Sequence, residues 1–145
     1  MRIGAYTVVF DADRRVLLCH RRDFDAWNLP GGAVEEDESP WDAAIRETRE
    51  EVCIDVEIVR LTGVYWKPQK QDLVFNFEGR ATGGTPATSD EADEVGWFSI
   101  DALPANTAPL QIERIRDALA GGPPVLRTQS GAGIRELFPA TARRP

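Results

Sequence analysis

The segment from Leu29 to Asp55, LPGGAVEEDESPWDAAIRETREEVCID, limits the possible folds more than any other part of the chain. Ser39 has the type of side chain that caps a helix, Pro40 suits the first helical position, and Asp42 supplies the acid of a capping box. We therefore predict a helix from about Pro40 to Val52.

Runs rich in β-branched and aromatic residues surround this helix and predict strands. The runs are RIGAYTVVF, VLLCHRR, DVEIVRLTGVYW, DLVFNFEGRAT and EVGWFSI. The turn DADRR predicts that the first two strands form a hairpin. PLQIERIRDALA has apolar residues at helical spacing and predicts a second helix, which GGPP ends. This order predicts an α+β fold in which helices cover the faces of a mixed sheet.

The chain of 145 residues has the length of one domain, which we predict to span residues 1–145. From about residue 125 the sequence is less informative: IRELF favours a short helix and ATARRP a frayed end. No apolar run approaches the ~20 residues of a membrane helix, and the N-terminus lacks the cleavage region of a signal peptide. We therefore expect a cytoplasmic protein without membrane contact, and a homodimer is an open alternative to a monomer.

The net charge of −7 is concentrated in one segment, because residues 31–60 contain ten acidic and only three basic side chains. Nucleic-acid binding needs a basic surface, so we expect no nucleic-acid partner. Cys19 and Cys53 lack the spacing of a zinc site, and both are expected to be small, partly buried residues. His20 is the only histidine, which excludes a multi-histidine metal site, and it is expected in a strand.

The predicted first helix carries three glutamates that destabilise it. Its core-facing stripe is predicted to consist of Trp41, Ala44, Ile45, Thr48 and Val52. Glu47, Glu50 and Glu51 lie away from that stripe at spacings of three and four residues, so their carboxylates can converge. Repulsion among them, and the helix dipole at the last turn, are each unfavourable by ~0.2–1 kcal/mol.

A bound divalent cation would remove this conflict, because hard cations prefer clustered carboxylate oxygens. The alternative is a solvated acidic face, which is what most charge runs are. The glycine pair Gly31 and Gly32 favours the metal site, because it lets backbone approach a ligand and exposes carbonyl groups. Glu38, just before the helix, can contact the N-terminal amides or hold a metal-bound water.

The combined pattern resembles the Nudix hydrolase box. Gly32 is followed after five residues by Glu38, and after seven more by Arg46-Glu47-Thr48-Arg49-Glu50-Glu51-Val52-Cys53-Ile54. WNLPGG and EADEVGWFSIDALP also resemble family segments, so the similarity covers most of residues 1–120. Thr48 stands where the family usually has an aliphatic residue, and it should face the core. Cys53 replaces the box glycine, which would accommodate a left-handed turn, so either the helix ends differently here or the turn carries some strain.

The resemblance implies an α/β/α sandwich and hydrolysis of a nucleoside diphosphate linked to another group. It also implies a Mg²⁺ or Mn²⁺ cofactor, which would lie between the glutamates and the phosphate oxygens, stabilise the transition state and activate a water. Implied metal ligands are Gly31, through its carbonyl, and Glu47, Glu50 and Glu51. Implied catalytic residues are Glu38, Arg46, Glu50 and Glu91: Arg46 would orient a glutamate, and Glu38 would support the site.

A general base from a later loop would be Glu91 or Glu94, or else a glutamate of the box, with Glu91 preferred. Candidate substrate contacts are Arg21, Arg22, Trp66 and Lys67, with Tyr65 and Lys70 as neighbours, because an aromatic ring can stack on a base and a cation can meet phosphate. Trp27 and Trp97 are expected to pack in the core or loops.

Two other functions stay open on the sequence alone. One is a non-catalytic module that senses nucleotides or binds a partner, although a sensor does not need all three glutamates. The other is isomerisation of a prenyl diphosphate, which Cys53 prevents us from dismissing completely. Within hydrolysis, the identity of the diphosphate substrate is also open.

Overall fold

The structure is a computed structural model that describes residues 1–141. The strands are β1 (Arg2–Val9), β2 (Val16–Arg21), β3 (Trp27–Asn28), β4 (Gly31–Ala33), β5 (Ile54–Lys67), β6 (Asp72–Gly84), β7 (Ala92–Phe98) and β8 (Val125–Thr128). The helices are α1 (Pro40–Val52), α2 (Pro109–Ala120) and α3 (Ile134–Leu137), with a short 3-10 helix at Ile100–Ala102 where DALP begins. The predicted bounds of α1 and α2 are confirmed, and IRELF does contain a short helix.

The strands form two sheets. The larger has the order β4-β1-β6-β5-β8 and is mixed, because β1 runs parallel to β6 while β5 runs antiparallel to it. The smaller has the order β3-β2-β7. The prediction of a mixed sheet is therefore confirmed.

Successive residues of β1 and β2 point to opposite layers, as strand geometry requires. On one side, Val9, Leu17 and Cys19 pack in a cluster with Val52 of α1; on the other, Val8, Val16 and Leu18 pack with Ile115 and Ala118 of α2. These two apolar cores hold a helix on each side of the strands, which is the expected α/β/α sandwich.

The predicted hairpin between β1 and β2 is wrong. The turn itself forms, because the side-chain carboxylate of Asp11 accepts hydrogen bonds from the backbone N–H groups of Asp13 and Arg15. Beyond a single bridge between Phe10 and Val16, however, the two strands belong to different sheets. A turn sets only the direction in which a chain returns, whereas distant partners offer each strand a much longer ladder of hydrogen bonds.

The core-facing stripe of α1 differs from the predicted one at both edges. Ala44, Thr48 and Val52 are buried, but Trp41 in the first turn is 55% exposed. Glu47 and Glu51, predicted to lie away from the core, are only 9% and 8% exposed. The helix is therefore rotated so that two glutamates face the protein.

The C-terminal part contains a strand that the sequence did not indicate, since β8 adds to the edge of the larger sheet beside β5. Ala140 then pairs with Phe24, and the Thr141 N–H donates to the Asp23 carbonyl at 2.9 Å, so the start of ATARRP is anchored instead of frayed. The rest of that predicted frayed end, residues 142–145, lies outside the described residues.

Other predictions from composition have mixed outcomes. His20 lies in β2, as expected. Cys19 is buried but Cys53 is exposed, because it follows the last turn of α1 at the surface. Among residues 1–141, no helix has both the length and the apolar character needed to cross a membrane.

Candidate active site

Three carboxylates from two parts of the chain meet at one edge of the larger sheet. Glu47 and Glu51 project from successive turns of α1, and Glu91 comes from the loop before β7. One oxygen from each lies within 4.8 Å of the others. Like charges at such separations repel strongly unless they bind a proton or a cation.

Burial intensifies this repulsion. It raises the pKa of Glu51 to about 9, with the nearby Glu47 and Glu91 carboxylates adding to the rise and the Gly31 N–H opposing it. Burial also raises the pKa of Glu47, while Arg46 opposes that rise. Glu47 and Glu51 are therefore buried where little water reaches them, so their negative charges are poorly stabilised without another partner.

The glycine pair lets β4 approach these glutamates closely. The Gly31 N–H donates to Glu51 Oε2 at 3.1 Å. A Cβ at Gly32 would lie only 2.7 Å from Glu47 Oε1, so any larger residue would displace that carboxylate. What the structure shows at Gly31 is an amide contact, and the role of its carbonyl as a ligand stays a prediction.

Arg46 contacts several glutamates of the segment without belonging to the three-carboxylate cluster. Its guanidinium makes two hydrogen bonds with Glu38, at 2.8 and 2.9 Å. It also donates to Glu47 Oε1 at 3.0 Å and to Glu50 Oε2 at 3.2 Å. Arg46 thus contacts both Glu38 and Glu47, and its role in orienting a glutamate, like the supporting role of Glu38, stays a prediction.

Glu50 lies apart from the three clustered carboxylates, since its side chain is half-exposed and faces Arg46. Its predicted roles as metal ligand and catalytic residue stay predictions.

Of the two acids considered in the later loop, Glu91 joins the cluster, whereas Glu94 lies exposed on β7 opposite His20. Ser89 places this loop: its hydroxyl donates to the backbone carbonyl of Glu51 at 2.8 Å and accepts from the Glu91 N–H at 3.3 Å. Sequence reasoning missed Ser89, because a loop serine carries no signal of the distant helix end that it binds.

The cluster fits a divalent cation. It offers oxygen ligands from three glutamates at mutual distances that one hard ion can bridge, which is the donor set that Mg²⁺ and Mn²⁺ prefer. A cation there would also relieve the repulsion between Glu47 and Glu51.

Cys53 ends the helix in the left-handed conformation expected of the glycine that it replaces. Its φ and ψ are 63° and 27°, and its N–H donates to the Arg49 carbonyl at 3.1 Å. The helix therefore ends as glycine would end it, and Glu51 keeps its place in the cluster.

A cavity of about 1030 Å³ opens beside the carboxylates. Arg21 and Arg22, predicted to contact substrate, both line it. Arg21 is paired with Asp23 at 2.6 Å, and the Arg22 Nε donates to the Ser89 carbonyl at 2.8 Å. The two arginines, together with Arg2, therefore bring positive charge to a cavity whose other charged lining residues are acidic.

Trp66 and Lys67, the other predicted substrate contacts, lie at the end of β5 and do not line this cavity. Lys67 instead lines a smaller neighbouring cavity. Trp27 packs edge-on against Phe98 with ring centroids 5.0 Å apart, and Trp97 packs against an apolar core cluster, as predicted for both tryptophans.

Further lining residues were missed by sequence reasoning. They are Arg2, Tyr6, Cys19, Asp23, Asn28, Ala33, Asp90, Asp93 and Thr141. Arg2 and Tyr6 share one face of β1, so strand alternation could have linked them. No local signal connects Asn28 or Thr141 with the glutamates of α1.

Fold and site together define a class of protein, the Nudix hydrolases. The NUDIX domain model matches residues 1–118. The chain belongs to the Nudix family, and it is a Nudix hydrolase, as the names of its relatives also support.

Particular relatives cover nearly the whole chain. A "MutT-like protein" from Streptomyces ambofaciens is 37% identical over 92% of this chain and 84% of its own length. A Bacillus subtilis protein named "Putative 8-oxo-dGTP diphosphatase" is 34% identical over 97% of this chain and 95% of its own length. The crystal structure of an ADP-ribose pyrophosphatase from Streptococcus suis superposes with a TM-score of 0.73 and 25% identity, covering 88% of this chain and 98% of that one.

Proposed function

We propose that this protein is a divalent-metal-dependent pyrophosphohydrolase. It cleaves a phosphoanhydride bond in a nucleoside di- or triphosphate, or in a nucleoside diphosphate derivative, by attack of water. The convergence of Glu47, Glu51 and Glu91 within 4.8 Å carries this proposal, because a polyanionic substrate cannot approach such a cluster without a cation between them. Names of relatives that include an 8-oxo-dGTP diphosphatase and an ADP-ribose pyrophosphatase support the substrate class.

Each group has a distinct part in the proposed reaction. Glu47 and Glu51 would hold Mg²⁺ or Mn²⁺, with Glu50 and the Gly31 carbonyl as further predicted ligands. When bound, the metal would supply charge neutralisation and a water of lowered pKa. Glu91, the most exposed member of the cluster, would accept a proton from the attacking water.

The walls of the large cavity would bind the rest of the substrate. Arg21 and Arg22 present guanidinium groups that suit phosphate oxygens. Lys67, at the end of β5, lines the smaller neighbouring cavity, and Trp66 stays a predicted substrate contact. That the protein is cytoplasmic and takes no nucleic acid also remain predictions, and a homodimer remains an open alternative to a monomer.

The binding-module alternative is less well supported, because a sensor has no need to bury two repelling glutamates beside a third acid. Prenyl diphosphate isomerisation is also less well supported, since Cys53 is exposed at the end of α1 and does not line the cavity.

The direct test is to incubate the purified protein with nucleoside triphosphates, ADP-ribose and dinucleoside polyphosphates in Mg²⁺ or Mn²⁺ and to measure released phosphate, pyrophosphate and nucleoside monophosphate. We expect turnover of at least one compound only when the metal is present. Turnover that persists in a chelator would contradict the metal requirement, and binding without turnover would favour the sensor.

Removal of one carboxylate tests the cluster. We expect Glu51→Gln to lower kcat by about a hundredfold or more, because loss of its charge weakens the hold on the metal. Glu50→Gln is also expected to lower turnover strongly, and the exposed Glu57→Gln on β5 serves as a control that should retain it. Parent-like turnover in Glu51→Gln, with the fold unchanged by circular dichroism, would refute the assignment.

A further inference from the structure

A second cavity, of about 180 Å³, adjoins the proposed active site and has the opposite charge. Arg2, Tyr6 and Arg21 line both cavities, so the two cavities adjoin at these three side chains. The small cavity is formed by the start of β1, the turn after β5, α2 and the segment around α3.

The lining of this cavity is strongly basic in a protein of net charge −7. Its cationic residues are Arg2, Arg21, Lys67, Lys70, Arg114 and Arg135, and Asp72 is the one carboxylate among the lining residues. Within residues 1–141, only two of the six cations form an ion pair with a carboxylate: Arg21 with Asp23 at 2.6 Å and Lys70 with Glu136 at 4.0 Å. Most of the positive charge is therefore left for a ligand to neutralise.

Arg114 shows that this charge is built into the fold. It is only 2% exposed, yet its hydrogen bonds go to a neutral acceptor, the side-chain oxygen of Gln129, at 2.9 and 3.1 Å. Its guanidinium also lies 5.4 Å from the ring centroid of Tyr6 and 5.3 Å from that of Tyr65. A buried cation is unfavourable without an anionic partner, and no carboxylate within residues 1–141 pairs with this one.

Lys67 experiences the same excess of positive charge. Burial lowers the pKa of its ammonium group, and the neighbouring Arg114 and Lys70 lower it further. An anion bound in the cavity would raise the pKa of Lys67 and so oppose the lowering caused by Arg114 and Lys70.

We propose that this basic cavity binds a phosphate group of the substrate that is remote from the scissile diphosphate. The preferred substrates are then nucleoside diphosphate derivatives with an additional phosphate monoester. This inference rests on the proposed function and narrows its substrate class, because the acidic cluster serves the metal and the scissile bond while the basic cavity selects the second anion.

The test uses pairs of compounds that differ by one phosphate monoester: ADP-ribose with ADP-ribose 2′-phosphate, and dephospho-coenzyme A with coenzyme A. In Mg²⁺ or Mn²⁺, kcat/KM should be about tenfold or more higher for the phosphorylated member of at least one pair, as a charge-assisted contact predicts. Lys67→Gln and Lys70→Gln should each move that ratio towards one. The exposed Arg116→Gln on α2, which lines neither cavity, should leave the ratio unchanged.

Equal kcat/KM within both pairs would overturn this inference while leaving the proposed function intact. If no compound is hydrolysed, the proposed function fails, and calorimetric binding of the same pairs still tests the cavity. Tighter binding of a phosphorylated member, weakened in Lys67→Gln but not in Arg116→Gln, would support the cavity's role. Equal binding within both pairs would refute it.

Discussion

Cys53 shows how much a single backbone conformation matters beside the site. The residue has a positive φ of 63°. In this left-handed conformation a Cβ crowds the neighbouring backbone carbonyl, a contact that glycine does not make because it has no Cβ. Because Cys53 stands at the glycine position of the box, the sequence left open whether the helix would end differently or the turn would be strained, and the structure shows the left-handed turn.

Cys53→Gly should therefore stabilise the protein by about 1 kcal/mol, since relief of the left-handed strain exceeds the added flexibility of the unfolded chain. The free energy of unfolding from urea denaturation measures the change. Cys53→Ala is the matched control, because it removes the thiol but keeps a Cβ, and it should give little or no gain. Equal gains in both variants would show that the thiol, not the backbone, was unfavourable.

At the same scale, the sequence predicted the residue types of the site better than their positions. Glu47, Glu51 and Glu91 meet as a cluster, but Glu50 faces Arg46 instead. Helical spacing allows three acids to converge without deciding which of them do. The choice depends on the rotation of α1 against β4, where Gly32 makes room for Glu47.

Among the elements, α1 is the one whose limits the sequence specified most fully. Ser39 has an extended backbone, and its hydroxyl accepts from the Asp42 N–H at 3.1 Å, which satisfies one of the unpaired amides of the first turn. The cap and the left-handed end at Cys53 together fix the helix that carries Glu47 and Glu51.

Ser39→Ala should destabilise the protein by about 1 kcal/mol, because the amide that Ser39 satisfies loses its partner. Ser39→Asn is the control and should retain most of the stability, since asparagine caps helices about as well as serine. Chemical denaturation of both variants provides the comparison. A loss of the same size in Ser39→Asn would mean that the serine acts through some contact other than capping.

The strands illustrate the opposite case. Their approximate positions followed from composition, but their partners did not, so the β1–β2 hairpin was wrong and β8 was missed. A strand of four residues at a sheet edge, with exposed Leu126 in its middle, has no alternation to recognise. Pairing is a long-range property, and it is decided by which edges remain open after the core has formed.

At the scale of the whole molecule, metal binding should be coupled to stability. Burial raises the pKa of Glu51 to about 9, above its ordinary value of 4.5. In the metal-free protein, the stability that Glu51 contributes is therefore fully present below its unfolded-state pKa and is lost as pH rises through about 9. A bound cation replaces the proton, so its stabilising effect should grow with pH.

The increase in Tm produced by saturating Mg²⁺ or Mn²⁺ should accordingly be larger near pH 9 than near pH 6. In a domain of this size, each additional 1 kcal/mol of binding free energy raises Tm by about 3 °C. Differential scanning fluorimetry of the wild type and Glu51→Gln measures the effect, and the variant should lose most of the pH dependence. A metal effect that is equal at both pH values in the wild type would contradict the coupling.

The sequence by itself determined the family, the α+β class, the limits of both long helices and the glutamates available for a metal, because capping, periodicity and the box motif are local patterns. Tertiary structure alone decided that Glu91 completes the cluster, that Glu50 turns to Arg46, and that a basic cavity adjoins an acidic site. The physical reason is that these outcomes depend on which distant surfaces become buried together. Packing of α1 on β4 and of α2 beside β5 sets that burial, and no local pattern encodes it.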